Sequence, residues 1–290
     1  MFEGTYTALV TPFRDGEVDY PALAKLIERQ VEAGVDGLVP CGSTGESATL
    51  SHEEHERVID FTLEKASKRV KVIAGAGSNS TRETIRLTRF AAEHGADGAL
   101  LIAPYYNKPT QEGLYAHYAA VAEAIQIPQV VYNIPGRCAV NILPETLARL
   151  AKLDNIVGVK ESSGSLDQIS HVVELCGPDF NVISGDDNLT LPMMAVGGRG
   201  CISVIANLLP KRVAELVRLA SAGNFVKARQ IHYELAPVVR SLFLEGNPSG
   251  IKAALALTGA CSDETRLPLI KLTDGSREFL KRTLETASIL

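Results

Sequence analysis

The sequence has no paired cysteines, no long hydrophobic run and no strong charge of either sign. Its five cysteines, among 290 residues, include no C-x-x-C pair, which argues against a disulfide framework and against a structural zinc site. No run approaches the roughly 18 apolar residues of a membrane-spanning helix. The net charge of −5 leaves no basic surface for nucleic acid or an anionic membrane. We therefore expect no metal, no nucleic-acid partner and no membrane partner.

The remaining composition is that of an ordinary globular protein. Hydrophobic residues make up 46% and charged residues 22% of the chain. The first residues, 1–13, show no basic region followed by an apolar stretch, so we expect no signal peptide and a cytoplasmic location. A chain of this length forms one large domain or two ordinary ones.

Short apolar runs alternate along the chain with longer segments of helical periodicity. The runs are continuous rather than alternating in hydrophobicity, as in strands that are buried on both faces. There are eight of them: 5–10, 36–40, 70–75, 98–104, 129–134, 156–160, 181–185 and 201–206. Eight β/α units without a nucleotide-binding fingerprint favour a (β/α)8 TIM barrel over a doubly wound sheet.

The last quarter of the chain lacks further strands. Four helical segments follow Pro210, beginning KRVAELV, FVKARQI, IKAALAL and REFLKRT. The expected organisation is a barrel over 1–210 that carries the active site, with a C-terminal helical extension over 211–290. Helix starts are predicted at Asp19, at Ser51 followed by Glu54, and at Ser80 followed by Glu83.

Lys160 is the residue most open to a chemical interpretation. It follows Ile-Val-Gly-Val at the end of the sixth run, so it projects from a buried strand at the barrel end where active sites lie. Burial disfavours the ammonium form, and a neutral amine can attack a carbonyl carbon to form a Schiff base. A structural ion pair with Asp186 or Glu161 explains the position equally well.

Other strand ends supply further candidates. Tyr132 ends the fifth strand and could move protons, or simply pack as a strand aromatic. Ser43 and Thr44 form a small turn before a helix, suited to a carboxylate or to plain capping. Arg137 could clamp a carboxylate with two hydrogen bonds, or be a solvated loop charge. No P-loop and no G-x-S-x-G motif is present.

Six stretches together are similar to the dihydrodipicolinate synthase family, within the pyruvate-dependent class I lyase and aldolase superfamily. They are GSTGESATLSHEEH, PYYNKPTQEGLYAHY, VYNIPGR, VGVKESSG, SGDD and GGRGCISVIAN. The resemblance covers essentially the whole chain. It implies condensation of pyruvate with L-aspartate 4-semialdehyde to 4-hydroxy-tetrahydrodipicolinate, a step of lysine and diaminopimelate biosynthesis, without a cofactor because the substrate pyruvate itself forms the Schiff base.

The resemblance also implies a role for each matching position. Lys160 matches the Schiff-base lysine, and Tyr132, Ser43 and Tyr106 match the proton relay, in which the tyrosine at the Tyr106 position reaches the adjacent subunit. The positions that match substrate-binding residues are Thr44, Ile202, Arg137 and Gly185. Family members that are inhibited by L-lysine have an allosteric site whose matching positions here are Ser47, Ala48, His52, His55, Asn79, Glu83 and Tyr105. A homotetramer built as a dimer of dimers is also implied.

Two alternatives stay open at this point. The first is a sister aldolase that acts on N-acetylneuraminate or a 2-keto-3-deoxy sugar acid, because Ser43 replaces the threonine of many family members and is shared with N-acetylneuraminate lyases. Arg137 favours the synthase over these. A non-catalytic keto-acid sensor on the same scaffold is the other, and the complete relay argues against it.

Overall fold

A computed structural model describes residues 2–290. Eight parallel strands close into a barrel in which each strand pairs with the next along the chain and β8 pairs with β1. The strands are β1 (Gly4–Ala8), β2 (Gly37–Val39), β3 (Lys71–Gly75), β4 (Gly98–Ile102), β5 (Gln129–Asn133), β6 (Ile156–Glu161), β7 (Asn181–Ser184) and β8 (Gly200–Ser203). The prediction of a TIM barrel from eight apolar runs is confirmed.

Eight main helices alternate with these strands, and three more follow. The first eight are α1 (Tyr20–Ala33), α2 (His52–Ala66), α3 (Thr81–Glu93), α4 (Gln111–Ala124), α5 (Pro144–Leu150), α6 (Leu166–Cys176), α7 (Thr190–Ala195) and α8 (Pro210–Ser221). The extension contains α9 (Phe225–Leu242), α10 (Ser249–Leu257) and α11 (Asp274–Thr286). A small hairpin pairs Phe13–Arg14 with Glu17–Val18.

The interior of the barrel is filled by apolar side chains that point inward from the strands. Tyr6, Ile73, Val130, Ile183 and Ile202 form one buried cluster there. Their burial on the inner face, together with helices on the outer face, explains why the runs are continuously apolar. Because the interior is packed, chemistry is confined to the carboxyl ends of the strands.

The helical extension packs against the barrel rather than standing apart from it. Ile231 of α9 and Leu280 of α11 share one buried cluster with Val213 and Val217 of α8. The predicted boundary at residue 210 falls on the first residue of α8, which contacts β1 and β8. The division of the chain there stays a prediction, and α8 packs as the eighth helix of the barrel.

All three predicted helix starts are confirmed. Asp19 accepts a hydrogen bond from the Ala22 amide, and Ser51 forms a reciprocal capping box with Glu54. The helix α3 also begins directly after Ser80, which is its N-cap residue, but the Ser80 side chain makes no capping hydrogen bond and Glu83 bonds to Ser78 instead. No helix within residues 2–290 combines the length and the apolar character needed to cross a bilayer.

Candidate active site at the carboxyl ends of the strands

Lys160 and Tyr132 lie side by side at the centre of the site. They are register partners on the neighbouring strands β6 and β5, and Tyr132 belongs to the buried cluster of the barrel interior. The Lys160 Nζ atom lies 4.1 Å from the centroid of the Tyr132 ring. Both residues are buried. The arrangement brings an amine and a phenol together out of bulk water.

The surroundings of Lys160 favour its neutral form. Burial lowers the pKa of Lys160 to about 8; Asp187 opposes this shift and Arg137 adds to it. The two carboxylates considered as ion-pair partners are engaged elsewhere. Glu161 accepts hydrogen bonds from Asn133 and Ser163, and Asp186 accepts the Asn188 amide. Neither Asp186 nor Glu161 forms the ion pair with Lys160, and the carboxylate whose charge acts on the amine is Asp187.

Tyr132 is held as a neutral phenol. Burial raises the pKa of Tyr132 to about 12, while Arg137 and the hydroxyl groups of Ser162 and Ser43 act in the opposite direction. Ser43 lies in the turn after β2, so β2, β5 and β6 all contribute to one group of hydroxyls around the amine. Such a group can donate a proton and take it back without leaving a buried charge.

Gly185 forms the wall of the site beside Lys160. Its amide donates to the Glu161 carbonyl at 3.0 Å, which draws the end of β7 close to β6. A Cβ atom at residue 185 would lie 2.7 Å from Lys160 Cε and 2.0 Å from Ser162 Oγ. Ile202 lies on β8, buried in the same barrel interior. Residue 185 is therefore a glycine because no side chain fits between β7 and Lys160.

The turn from Ser43 to Glu46 is tied to the rest of the molecule at several points. Thr44 is buried, and its Oγ1 accepts a hydrogen bond from Asn247 Nδ2 at 3.0 Å. The backbone carbonyl of Asn247 also accepts a hydrogen bond from Arg137 at 3.0 Å. The family resemblance assigns Thr44 and Arg137 to the binding of substrate carboxylates, and both residues hydrogen-bond to Asn247 of the extension.

Tyr106 is not part of this group within the protomer. Its side chain is 89% exposed, and its φ of 73° lies in the left-handed region that non-glycine residues seldom adopt. An exposed aromatic side chain on a strained backbone is expected of a residue that acts on another copy of the chain.

Six of the seven positions that match the allosteric lysine site, here called the second set, line a neighbouring cavity of about 520 Å³. Ser43, Arg137 and Asn247 line the same cavity, so the two predicted sites are continuous. The members of the second set that line it are Ser47, Ala48, His52, His55, Glu83 and Tyr105. The remaining member, Asn79, donates to the Tyr105 carbonyl at 3.2 Å.

Glu83 is the charged group among the residues of the second set. Its carboxylate contacts His52 Nε2 at 2.8 Å and accepts a hydrogen bond from the Ser78 hydroxyl. These two bonds hold the pKa of Glu83 below its usual range. Burial lowers the pKa of His55 to about 4, so that imidazole is neutral at pH 7. The cavity thus presents the Glu83 carboxylate together with the neutral imidazole of His55.

Several residues of the site were not singled out from the sequence. Asn247 donates a hydrogen bond to Thr44. Ser162 acts to lower the pKa of Tyr132, and Asp187 acts to raise the pKa of Lys160. The buried pair of Lys252 with Glu46 was missed as well, and both of its side chains are fully buried. A signal was present, because Lys252 is the single charge in the apolar helix SGIKAALAL. Within residues 2–290 no three His, Cys, Asp or Glu side chains lie together as metal ligands.

Comparisons with known proteins show the family to which the chain belongs. Residues 1–287 match the Dihydrodipicolinate synthetase family. The 4-hydroxy-tetrahydrodipicolinate synthase of Syntrophus aciditrophicus is 58% identical over 290 residues, which cover 100% of both chains.

Two solved structures are also similar. Dihydrodipicolinate synthase from Acinetobacter baumannii, chloride-inhibited and complexed with pyruvate, is 43% identical with a TM-score of 0.98, covering 100% of both chains. The enzyme from Cyanidioschyzon merolae with lysine bound is 40% identical with a TM-score of 0.96, covering 100% of this chain and 99% of that one. The chain therefore belongs to the dihydrodipicolinate synthetase family and is a lyase of lysine and diaminopimelate biosynthesis.

Proposed function

We propose that the protein condenses pyruvate with L-aspartate 4-semialdehyde to give 4-hydroxy-tetrahydrodipicolinate, through a Schiff base on Lys160. The observation that carries this proposal is the buried amine of Lys160 beside the Tyr132 phenol. With a pKa of about 8, roughly a tenth of the amine is neutral at pH 7. An amine with the ordinary pKa would be neutral about 300 times less often.

The first half of the reaction forms the imine. The neutral Nζ of Lys160 attacks the ketone carbon of pyruvate, and the ketone oxygen takes a proton to give a carbinolamine. Tyr132 donates a proton to the departing hydroxyl and recovers one from the nitrogen, so that water leaves. Its pKa of about 12 keeps the phenol protonated and able to donate. Ser43, and Tyr106 from a second copy of the chain, extend this relay.

The second half forms the new carbon–carbon bond. The protonated imine withdraws electrons, so a proton leaves the pyruvate methyl group and an enamine forms. The enamine carbon attacks the aldehyde of the second substrate, whose oxygen takes a proton. The substrate's amino group then attacks the imine carbon and displaces Lys160, closing the ring and freeing the amine. The substrate itself supplies the electron sink, so no metal or organic cofactor enters this scheme.

The two carboxylates bind to different groups. Thr44 and the backbone of Ile202 hold the pyruvate carboxylate, with Gly185 leaving room for the adduct. Arg137, which is exposed at the cavity mouth, holds the carboxylate of the semialdehyde with its planar guanidinium. The Acinetobacter baumannii relative complexed with pyruvate supports pyruvate as the first substrate.

L-lysine is the proposed effector of the cavity lined by His52, His55 and Glu83. The Glu83 carboxylate, with its lowered pKa, suits an ammonium group, and the nearby histidines, of which His55 is neutral, suit the polar end of an amino acid. The lysine-bound Cyanidioschyzon merolae relative supports this assignment. Asn79 and Tyr105 complete the set through their mutual hydrogen bond.

A homo-oligomer follows from the role proposed for Tyr106. Its side chain is exposed in its own protomer, so it serves the relay only if it enters the site of an adjacent copy of the chain. We therefore propose a homotetramer that is built as a dimer of dimers, each dimer completing two sites.

The direct test is product analysis after incubation of the protein with pyruvate and L-aspartate 4-semialdehyde, with and without L-lysine. We expect consumption of both substrates and formation of 4-hydroxy-tetrahydrodipicolinate, slowed by lysine. Cleavage of N-acetylneuraminate or a 2-keto-3-deoxy sugar acid, without condensation, would assign the chain to a sister activity. Pyruvate adduct formation without turnover on any of these substrates would indicate a keto-acid sensor.

A further inference from the structure

We propose that Asn247, in the C-terminal extension, is a positioning residue that sets the hydroxyl of Thr44 as a hydrogen-bond donor toward the keto-acid carboxylate. This rests on the proposed function, which places that carboxylate at Thr44. The extension thereby takes part in substrate recognition, although it lies outside the eight β/α units.

The geometry of the Asn247–Thr44 contact carries the inference. Asn247 Nδ2 donates to Thr44 Oγ1 at 3.0 Å, and both residues are buried. A threonine hydroxyl has one hydrogen to donate and two lone pairs that accept. Because an amide N–H occupies one lone pair, the O–H hydrogen points away from Asn247 and is free to donate to an anion. Without Asn247 the buried hydroxyl can rotate and lose that orientation.

The turn that carries Thr44 is also clamped to the extension. Glu46, two residues on, forms a fully buried ion pair with Lys252 of α10, and its second oxygen accepts the Arg266 amide at 3.0 Å. From the barrel side, the Thr11 hydroxyl donates to the Gly45 carbonyl at 2.7 Å. Removal of one member of such a buried pair leaves an uncompensated charge. The turn is thus fixed where Asn247 can reach Thr44.

Asn247 also connects the two proposed carboxylate sites. Its backbone carbonyl accepts a hydrogen bond from Arg137 at 3.0 Å, and this contact does not depend on the side chain. Among residues 2–290 nothing hydrogen-bonds its Oδ1 atom, so the amide group is held only through Nδ2. A substitution of the Asn247 side chain is therefore expected to alter the Thr44 contact and to leave Arg137 in place.

The test measures the pyruvate concentration that gives half-maximal trapping of the Lys160 adduct by borohydride. We expect Asn247→Leu, which keeps the volume and removes the donor, to raise this concentration about tenfold or more, with the maximal extent of trapping retained. The KM for L-aspartate 4-semialdehyde is expected to stay near the wild-type value, since the Arg137 contact uses the backbone. The matched control is Asn155→Leu, which removes hydrogen bonds to Ala122 and Ile125 at the opposite end of the barrel and leaves trapping unchanged.

A double variant separates this role from a general loss of structure. If Asn247 acts through the Thr44 hydroxyl, Asn247→Leu adds no further effect in a Thr44→Val background. Half-saturation within twofold of wild type in Asn247→Leu, or full multiplication of the two effects, would overturn the inference. If the wild-type protein forms no pyruvate adduct, the proposed function is wrong and this inference is wrong with it. If the adduct forms but Asn247→Leu leaves the half-saturating pyruvate concentration unchanged, only this inference is wrong.

Discussion

Substitution of Gly185 by alanine is expected to separate the reactivity of Lys160 from the stability of the fold. The added Cβ would lie 2.7 Å from Lys160 Cε and 2.0 Å from Ser162 Oγ. Non-bonded heavy atoms ordinarily stay about 3.5 Å or more apart, so the lysine chain must move by about 1 Å and the serine hydroxyl by about 1.5 Å. Both obstructing groups are side chains that can shift while the backbone stays in place.

The substitution Gly185→Ala is therefore expected to lower the reaction rate more than the free energy of unfolding. Overpacking of this kind costs about 1–3 kcal/mol, and we expect the lower end because the neighbours can rotate. A displacement of about 1 Å at a reacting group costs about 100-fold in rate. Gly185→Ala should thus lose roughly 100-fold in kcat/KM for pyruvate, with a loss in unfolding free energy of about 1 kcal/mol.

The assay combines the steady-state rate with urea unfolding followed by circular dichroism. Gly275→Ala is the matched control, since a Cβ at that position in α11 meets no atom of residues 2–290 within 4 Å. Wild-type kcat/KM in Gly185→Ala would refute the account of how the end of β7 constrains Lys160. A global loss of folding in that variant would contradict the small cost assigned to the overlap.

Two further predictions concern the amine and the phenol. The rate of imine formation at a fixed low pyruvate concentration should rise with pH and level off above about pH 8, because the neutral form of Lys160 attacks and its pKa is lowered to about 8; a rate that keeps rising tenfold per pH unit to pH 10 would contradict the lowered pKa. Tyr132→Phe should lower kcat by about 100-fold to 10,000-fold through loss of proton transfer, while the circular dichroism spectrum stays native. Wild-type turnover in that variant would remove Tyr132 from the relay.

The barrel was predictable from local patterns because each strand is buried on both faces and reads as a short continuous apolar run. The position of Lys160 and Tyr132 was predictable for a related reason, since both lie near the ends of such runs and parallel strands end at the same face of the barrel. Their contact follows from register, which pairs Tyr132 with Lys160.

The contributions of the extension were not predictable in this way. Asn247 meets Thr44 across 203 positions of sequence, and Lys252 meets Glu46 across 206. Nothing local in a loop residue such as Asn247 indicates which strand end it will approach. At Ser80 the helix start was predictable but its side-chain bonds were not, because Glu83 contacts His52 and Ser78 and forms no local capping box.

The central claim is that Lys160 is the nucleophile, and borohydride reduction in the presence of pyruvate tests it most directly. Intact-mass measurement, followed by peptide mapping, should show one reduced pyruvyl group per chain, located on Lys160. Lys160→Ala should show none. An adduct of the same mass on Lys160→Ala, or mapping of the wild-type adduct to another lysine, would contradict the account.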